Sequence, residues 1–317
     1  MSKISVIVPC YNSTKVLNTL VHETMQVFQD RGVTDYEFVL VNDCSPHRES
    51  VKILECLAEQ YPFVKIIDLA KNTGQANAQL TALRYAQGNI IINMDDDMQT
   101  HPKNIPLLLD KLEEGYDLVM GIYPEKKHSL FRNFLSRAEI VFASIVLHKP
   151  RGIQFTSFWV TRDYIRDCVI EYTHPYAFME GLFIRATDNI ACVDVEHFKR
   201  QEGTSGYNLI KLIKLWSNFT NFTVLPLRIA GVTGILSSVI GFICMLVMAI
   251  SKILNPQAVI EGYTSLLCIM LLFFGIILIF MGIMGEYIGR IFMCINSAPQ
   301  QVVKRTINVE PKEDTRA

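Results

Sequence analysis

Three consecutive aspartates, Asp95-Asp96-Asp97, follow directly on an apolar run at Asn89–Met94. Adjacent carboxylates repel one another unless a cation or a set of donors holds them. Residues i and i+2 leaving a strand share a side, so Asp95 and Asp97 can reach one site. Hard carboxylate oxygens suit Mg2+ or Mn2+, ions commonly shared with substrate phosphates. A solvated acidic turn is the plain alternative, because such triplets are common.

Three further clusters could do chemistry. In Val41-Asn42-Asp43-Cys44-Ser45 an aspartate closes an apolar run, where it could accept hydrogen bonds from a base or ribose, or cap a helix. Lys71-Asn72-Thr73-Gly74-Gln75 opens a helical pattern, whose free N–H groups favour an anion. Lys199-Arg200-Gln201-Glu202-Gly203-Thr204-Ser205-Gly206-Tyr207 combines cations, glycines and hydroxyls in the manner of a phosphate-binding loop, or of a surface loop. The chain has no Gly-x-x-x-x-Gly-Lys-Ser/Thr loop, no Gly-x-Gly-x-x-Gly after the first strand and no Gly-x-Ser-x-Gly turn. Its seven histidines lack paired metal-ligand spacing.

The elements that must position these clusters alternate in a βαβ pattern, which predicts a largely parallel sheet. Strands are expected at Ile4–Val8, Glu37–Asn42, Val64–Leu69, Asn89–Met94 and Asp117–Met120, and helices at Val16–Gln29, Glu49–Gln60, Gln75–Ala86 and Asn104–Glu114. Three strands end in polar residues: Pro9-Cys10-Tyr11-Asn12, Asn42-Asp43 and the aspartate triplet. Ligands of open α/β sheets bind at the carboxyl ends of strands, so the three loops should converge.

The formal net charge of −1 offers no basic excess for a nucleic-acid partner. Eight cysteines without Cys-x-x-Cys spacing read as reduced, mostly buried thiols. The apolar stretch near the N-terminus is too short for a secretory signal. Hydrophobic residues make up 50% of the chain, concentrated beyond residue 229. The segments 229–250 and 262–285 carry no charge and are each long enough to span the ~30 Å hydrocarbon layer, which predicts a two-helix hairpin. Lys211, Lys214 and Arg228 precede it and Arg290, Lys304 and Arg305 follow it, so both termini should face the cytoplasm. The segments 129–147 and 207–223 have amphipathic helical spacing, suited to a membrane interface or to core packing. The expected organisation is therefore a cytoplasmic domain at 1–225, a hairpin at 226–296 and a polar cytoplasmic tail at 297–317, disordered after about Val303.

In order, these clusters resemble the family-2 glycosyltransferases of the polyprenyl-phosphate type, the dolichol-phosphate mannose synthases and bactoprenol glucosyltransferases. Val6-Ile7-Val8-Pro9-Cys10-Tyr11-Asn12 is similar to the family's opening strand and nucleotide loop, and Val41–Ser45 to its base-binding turn. Asn72–Gln75 resembles the Asn-x-Gly turn, and Met94–Pro102 the Asp-x-Asp-x-Gln metal motif. Arg200, Gly203, Ser205 and Tyr207 match the Arg-x-x-Gly-x-Ser-x-Tyr acceptor loop, and Gly285–Arg290 the motif closing the last membrane helix. The resemblance covers about residues 3–296.

It implies an A-type glycosyltransferase fold and a metal-dependent, inverting hexosyl transfer from a nucleotide sugar, UDP-linked first, to polyprenyl phosphate at the inner membrane. It implies donor contacts from Pro9, Tyr11, Asn12, Asp43, Asn72, Gln75, Asp95, Asp96 and Gln99, with metal at Asp95 and Asp97. Asp97 and Arg200 would be catalytic, and Arg132, Lys199, Arg200, Ser205 and Tyr207 would hold the acceptor phosphate. Relatives assemble as homo-oligomers, which suggests a tetramer. Three positions depart from the family pattern: Ser13 stands where Glu is usual, Asp96 where a small residue is usual, and Arg151–Phe158 lacks an Asp that many relatives carry. A processive polysaccharide synthase is the competing enzyme, but the Gln-x-x-Arg-Trp motif and extra spans are missing. A non-catalytic sugar-nucleotide scaffold is the competing binding role, disfavoured by the intact acidic cluster.

Overall fold

The computed structural model describes residues 3–123, 153–174, 177–196, 263–295 and 301–309, with isolated positions between 227 and 254. The segments 129–147 and 207–223, and most of the segment 229–250, lie outside the described residues.

Five strands and four helices fall where the sequence places them, within two residues at each end. They are β1 (Ile4–Cys10), α1 (Val16–Asp30), β2 (Tyr36–Asn42), α2 (Arg48–Gln60), β3 (Val64–Leu69), α3 (Gln75–Tyr85), β4 (Ile90–Asn93), α4 (Ile105–Glu113) and β5 (Leu118–Ile122). The sequence reading did not identify β6 (Trp159–Arg162), α5 (Asp163–Ile170), α6 (Met179–Ala186) or β7 (Ile190–Asp194). The last elements are α7 (Tyr263–Ile295) and β8 (Val303–Ile307).

The strands form one sheet in the order β7-β5-β6-β4-β1-β2-β3-β8. Strands β6 and β8 run against their neighbours, and every other pairing is parallel. Strands covered on both faces have no solvent side to leave polar, and β1, β2 and β3 are buried throughout except at Tyr36. Helix α1 buries Leu17, Leu20, Val21 and Phe28 on one stripe. Each such side chain removed from water contributes roughly 1.5–3 kcal/mol before chain entropy is charged.

One buried charge sits at the amino end of the sheet. The Glu37 carboxylate accepts hydrogen bonds from Ser5 Oγ and the Gln87 N–H, both at 2.6 Å, and pairs with Lys65 at 2.8 Å and Lys3 at 3.0 Å. Burial pushes its pKa up, but these donors outweigh burial and hold it below the usual 4.5.

The tail is the main correction to the sequence reading. Residues Val303–Ile307 are strand β8, paired antiparallel with β3 from Leu69↔Val303 to Ile66↔Ile307. The run Val-Lys-Arg-Thr-Ile looked like a polar tail because an edge strand keeps its charges in water. Arg305 reaches the carboxylates of Asp68 and Glu55, which fixes the register. The chain divides into two units, Met1–Asn208 with Ala298–Ala317, and Leu209–Ser297. The tail therefore belongs to the sheet unit. The cysteine expectation is half corrected: the six described thiols are free, but only Cys10 is buried, and Cys56 and Cys168 are exposed.

In the second unit α7 runs for 33 residues, about 50 Å at 1.5 Å per residue. Its stretch Ile276–Ile295 has a mean hydropathy of 1.8 and is long and apolar enough to cross a membrane. The helix runs ten residues past the expected end at 285.

Glu37→Gln should cost about 2 kcal/mol in urea unfolding, because Lys65 is left buried without its full counter-charge. Since the folded carboxyl titrates below its ordinary value, its contribution is complete above pH 4.5 and fades as pH falls through the lower folded value. The variant should therefore show a shallower loss of stability in acid.

Candidate functional site

Strand β1 pairs with β2 as far as Cys10, but with β4 only as far as Ile7. Pro9 has no N–H with which to extend the ladder, and it lies where the two strands part. Chain order reverses here, with β1 flanked by β2 and β4, so the parting opens a crevice at the carboxyl edge of the sheet.

The loops leaving β1, β2 and β4 each contain a non-glycine residue in the left-handed region: Asn12 at φ 55°, Cys44 at 55° and Met98 at 56°. Such conformations cost energy for residues with a Cβ and persist only where surrounding bonds enforce them. The enforcing bonds run between the loops. Asn12 N–H donates to Ser45 Oγ at 2.9 Å, and Asp43 N–H donates to the Cys10 carbonyl at 2.9 Å.

Asp43 is 4% exposed, and both its oxygens accept from the loop before α3. Thr73 N–H and Oγ1 donate to Oδ1 at 2.7 and 2.9 Å, and Gly74 N–H donates to Oδ2 at 2.8 Å. Asn72 Nδ2 donates to the Asp43 carbonyl at 3.3 Å. Gly74 sits at φ +86°, open to a residue without Cβ. The expected helix-start anion site is thus filled in part by the protein's own carboxylate, and Asp43 acts as a clamp on the Asn72–Gly74 turn.

The aspartate triplet divides by parity. Asp96 turns toward β1, where Ser13 Oγ and the Tyr11 backbone hydrogen-bond to it. Asp95 accepts from Gln75 Nε2 at 2.8 Å and from Ser157 Oγ. Asp97 Oδ1 accepts from the Gln99 N–H at 3.1 Å, which closes its own turn. Burial, then the charges of Asp95 and Asp97, pushes up the Tyr123 phenol. Burial, then the charges of Asp97 and Asp96, raises Asp95 to about 6 against the opposing bonds from Ser157 and Gln75. Burial also raises Asp96. Among the described residues no three His, Cys, Asp or Glu side chains converge to hold an ion by themselves. Two carboxylates with room for substrate oxygens match how Mg2+ and Mn2+ are usually held.

Pro9 near the end of β1, Gln75 at the start of α3, and Tyr11, Asn12, Asp43, Asn72, Asp95, Asp96 and Gln99 on the loops between thus all lie at the carboxyl edge of the sheet. Tyr11 is 50% exposed, and Asn12 Oδ1 is a buried acceptor with no partner among the described residues, which suits a ligand N–H. Arg132, Lys199, Arg200, Ser205 and Tyr207 lie outside the described residues. Three contributors escaped the sequence reading: Ser13, Tyr123 and Ser157. Ser157 lies in the stretch singled out for lacking an aspartate, and antiparallel pairing of Asn93 with Trp159 carries it to Asp95. Tyr123 had a weak signal, an aromatic residue directly after a strand at the active edge. Gly121 admits this loop: a Cβ there would lie 2.6 Å from Phe158 Cδ1.

A parallel sheet with an acidic turn at its switch point defines an A-type glycosyltransferase fold. Residues 5–179 match the model of "Glycosyl transferase family 2", and the chain belongs to that family. The undecaprenyl-phosphate 4-deoxy-4-formamido-L-arabinose transferase of Pectobacterium carotovorum subsp. carotovorum (strain PC1) is 28% identical over 317 residues, covering 97% of this chain and 94% of that one. The protein of the same name from Enterobacter sp. (strain 638) is 28% identical over 308 residues, covering 96% and 94%. Among solved structures, glucosyl-3-phosphoglycerate synthase from Mycobacterium tuberculosis in complex with phosphoglyceric acid superposes at a TM-score of 0.49 and 17% identity, over 70% of this chain and 80% of that one. Mannosyl-3-phosphoglycerate synthase from Rubrobacter xylanophilus gives 0.49 at 14% identity, over 73% and 75%.

Two outcomes follow from this geometry. Because burial raises the Asp95 carboxyl to about 6 against an ordinary 3.8, the metal-free protein should lose stability as pH rises between those values, by about 3 kcal/mol. Asp95→Asn should remove that slope in thermal unfolding scans in a chelator. Gly121→Ala should displace Phe158 and with it Ser157, lowering stability by about 1–3 kcal/mol and reducing turnover, both measurable on the purified chain.

Proposed function

We propose that the chain transfers a sugar, with inversion, from a nucleoside diphosphate donor to a polyprenyl phosphate at the cytoplasmic face of a membrane. The observation that carries this reading is the aspartate triplet at the carboxyl edge of a family-2 domain's sheet, with Asp96 tied to Ser13 beside β1 and Asp95 held by Gln75 and Ser157. The relatives' names, matched over nearly their whole length, support undecaprenyl phosphate as the acceptor class. The apolar stretch Ile276–Ile295 supports a membrane location. A Cβ at Gly234, in a described helical turn, would lie 4.0 Å from Phe280 Cε2, which supports a second helical segment beside α7. The cationic flanks favour cytoplasmic termini, and a homo-oligomer is proposed on resemblance alone.

The residues share the work as follows. The base and ribose would lie against the Tyr11–Asn12 loop, with Asn12 Oδ1 free to take a ligand N–H. Asp43 holds the Asn72–Gly74 turn rigid beside them, and Gln75 orients Asp95. Asp95 and Asp97 would hold Mg2+ or Mn2+, which supplies charge to the departing nucleoside diphosphate. A phosphate monoester is already ionised near neutral pH, so its oxygen needs no strong general base. This fits Arg151–Phe158, which offers Ser157 to Asp95 and contains no carboxylate. Arg200, with Lys199, Arg132, Ser205 and Tyr207, is proposed to bind the lipid phosphate.

The donor is proposed to be a UDP-sugar, glucose or a related hexose first; the relatives' names add 4-deoxy-4-formamido-L-arabinose to the panel. Detergent-purified protein with undecaprenyl phosphate, Mn2+ or Mg2+, and labelled nucleotide sugars should move label into the lipid phase from one donor. Asp97→Asn should lower that transfer at least a thousandfold while the protein still partitions into membranes. Undiminished transfer by the variant would overturn the metal assignment.

A further inference from the structure

Strand β8 returns to the sheet soon after the apolar helix, beginning at Val303, eight positions beyond the helix end at Ile295. Backbone pairing alone would seat β8 on the edge strand, yet the strand also inserts an arginine into a buried polar chain. Arg305 Nε donates to Asp68, which is 5% exposed, and Arg305 Nη2 donates to Glu55 at 2.6 Å. The other Asp68 oxygen accepts from Asn42 Nδ2 at 2.8 Å. Asn42, itself 4% exposed, accepts from the Ser45 N–H at 3.1 Å, and Ser45 Oγ accepts from the Asn12 N–H at 2.9 Å. The chain Arg305–Asp68–Asn42–Ser45–Asn12 therefore runs from the C-terminal strand, across β3 and β2, into the loop leaving β1.

Each link has a consequence for its neighbour. Asp68 is a nearly dry carboxylate, and Arg305 is the cation that makes its charge tolerable there. An ionised Asp68 can only accept, which fixes the Asn42 amide with its nitrogen toward Asp68 and its oxygen toward Ser45. That oxygen holds the turn around left-handed Cys44, and the turn in turn presents the hydroxyl that pins left-handed Asn12. If Arg305 is removed, the Asp68 carboxylate loses the donor that holds it in place, and the Asn42 amide, the Ser45 turn and the Asn12 loop lose a fixed anchor.

We propose that Arg305 is a positioning residue for the donor site: seating of the C-terminal strand sets the Asn12 and Ser45 loops in their nucleotide-binding conformation. The proposal rests on the reading of these loops as a nucleoside diphosphate site. It gives the covalent link between the apolar helix and β8 a role, since the strand that completes the donor loops is the one that leaves the membrane segment.

The test uses the full chain in detergent with Mn2+, reading UDP and GDP affinity by calorimetry alongside the unfolding midpoint. Arg305→Gln should weaken nucleotide binding about tenfold. Glu55→Gln, which removes only the outer partner of Arg305, should leave affinity within twofold. Ser45→Ala cuts the same chain at its far end and should also weaken binding about tenfold. The double variant should lose little more than either single one, rather than the roughly hundredfold expected of independent sites. Arg305→Lys keeps the charge but cannot span both carboxylates, and a partial loss of about threefold is expected; it also serves if Arg305→Gln does not fold. Unchanged affinity in Arg305→Gln or Arg305→Lys, equal loss in Glu55→Gln, or independent effects in the double variant would each overturn the proposal. Wild-type protein that binds neither UDP nor GDP would instead remove the nucleotide reading itself, and this proposal with it.

Discussion

The rest of the site depends on the parting of β1 from β4 beyond Ile7. A continuous ladder there would cover the carboxyl edge and leave no room between Tyr11 and the aspartate triplet. Pro9 ends the pairing by withholding a donor, and Asn93, the last residue of β4, turns its side chain to the Ser157 carbonyl instead. Both strands then release loops whose polar groups must find partners across the gap. The Ser13 to Asp96 hydrogen bond crosses that gap, and the Ser157 to Asp95 bond ties the β4 loop to the segment before β6.

This accounts for a property of the aspartate triplet that composition conceals. Three neighbouring carboxylates would be costly if all faced one way. The backbone sends Asp96 to the β1 side and leaves Asp95 and Asp97 on the other, so the repulsion is shared between two sets of donors. Two departures from the family pattern then become one feature. The serine that replaces the usual Glu at position 13 donates to the aspartate that replaces the usual small residue at position 96.

The sheet's central strands were legible because each is buried on both faces and leaves an uninterrupted apolar run, as Ile4–Cys10 and Val64–Leu69 do. The strand-end positions of the residues proposed to face the donor were legible for the same reason, since a polar residue that ends such a run must sit at the sheet edge. Strand β6 was missed because four residues, Trp-Val-Thr-Arg, carry no periodicity. Strand β8 was missed because three of its five residues are exposed and charge-bearing side chains mask its pairing. Ser157 and Tyr123 were missed because serine and tyrosine acquire their roles only from strands placed beside β4, with Ser157 62 positions from the carboxylate it holds.

What was hidden has a common physical origin. Local pattern reports whether a segment is buried, and burial is decided by the whole strand. Function in this sheet is decided at strand ends, by which loops the topology makes neighbours. Asp43 shows the difference. Its position after an apolar run marked it as a site residue, and the structure keeps it at the site, yet its oxygens are spent on Thr73 and Gly74. A carboxylate so engaged serves the ligand by holding rigid the turn that precedes α3. The acceptors left over in the crevice, Asn12 Oδ1 among them, are the groups from which donor recognition has to be built.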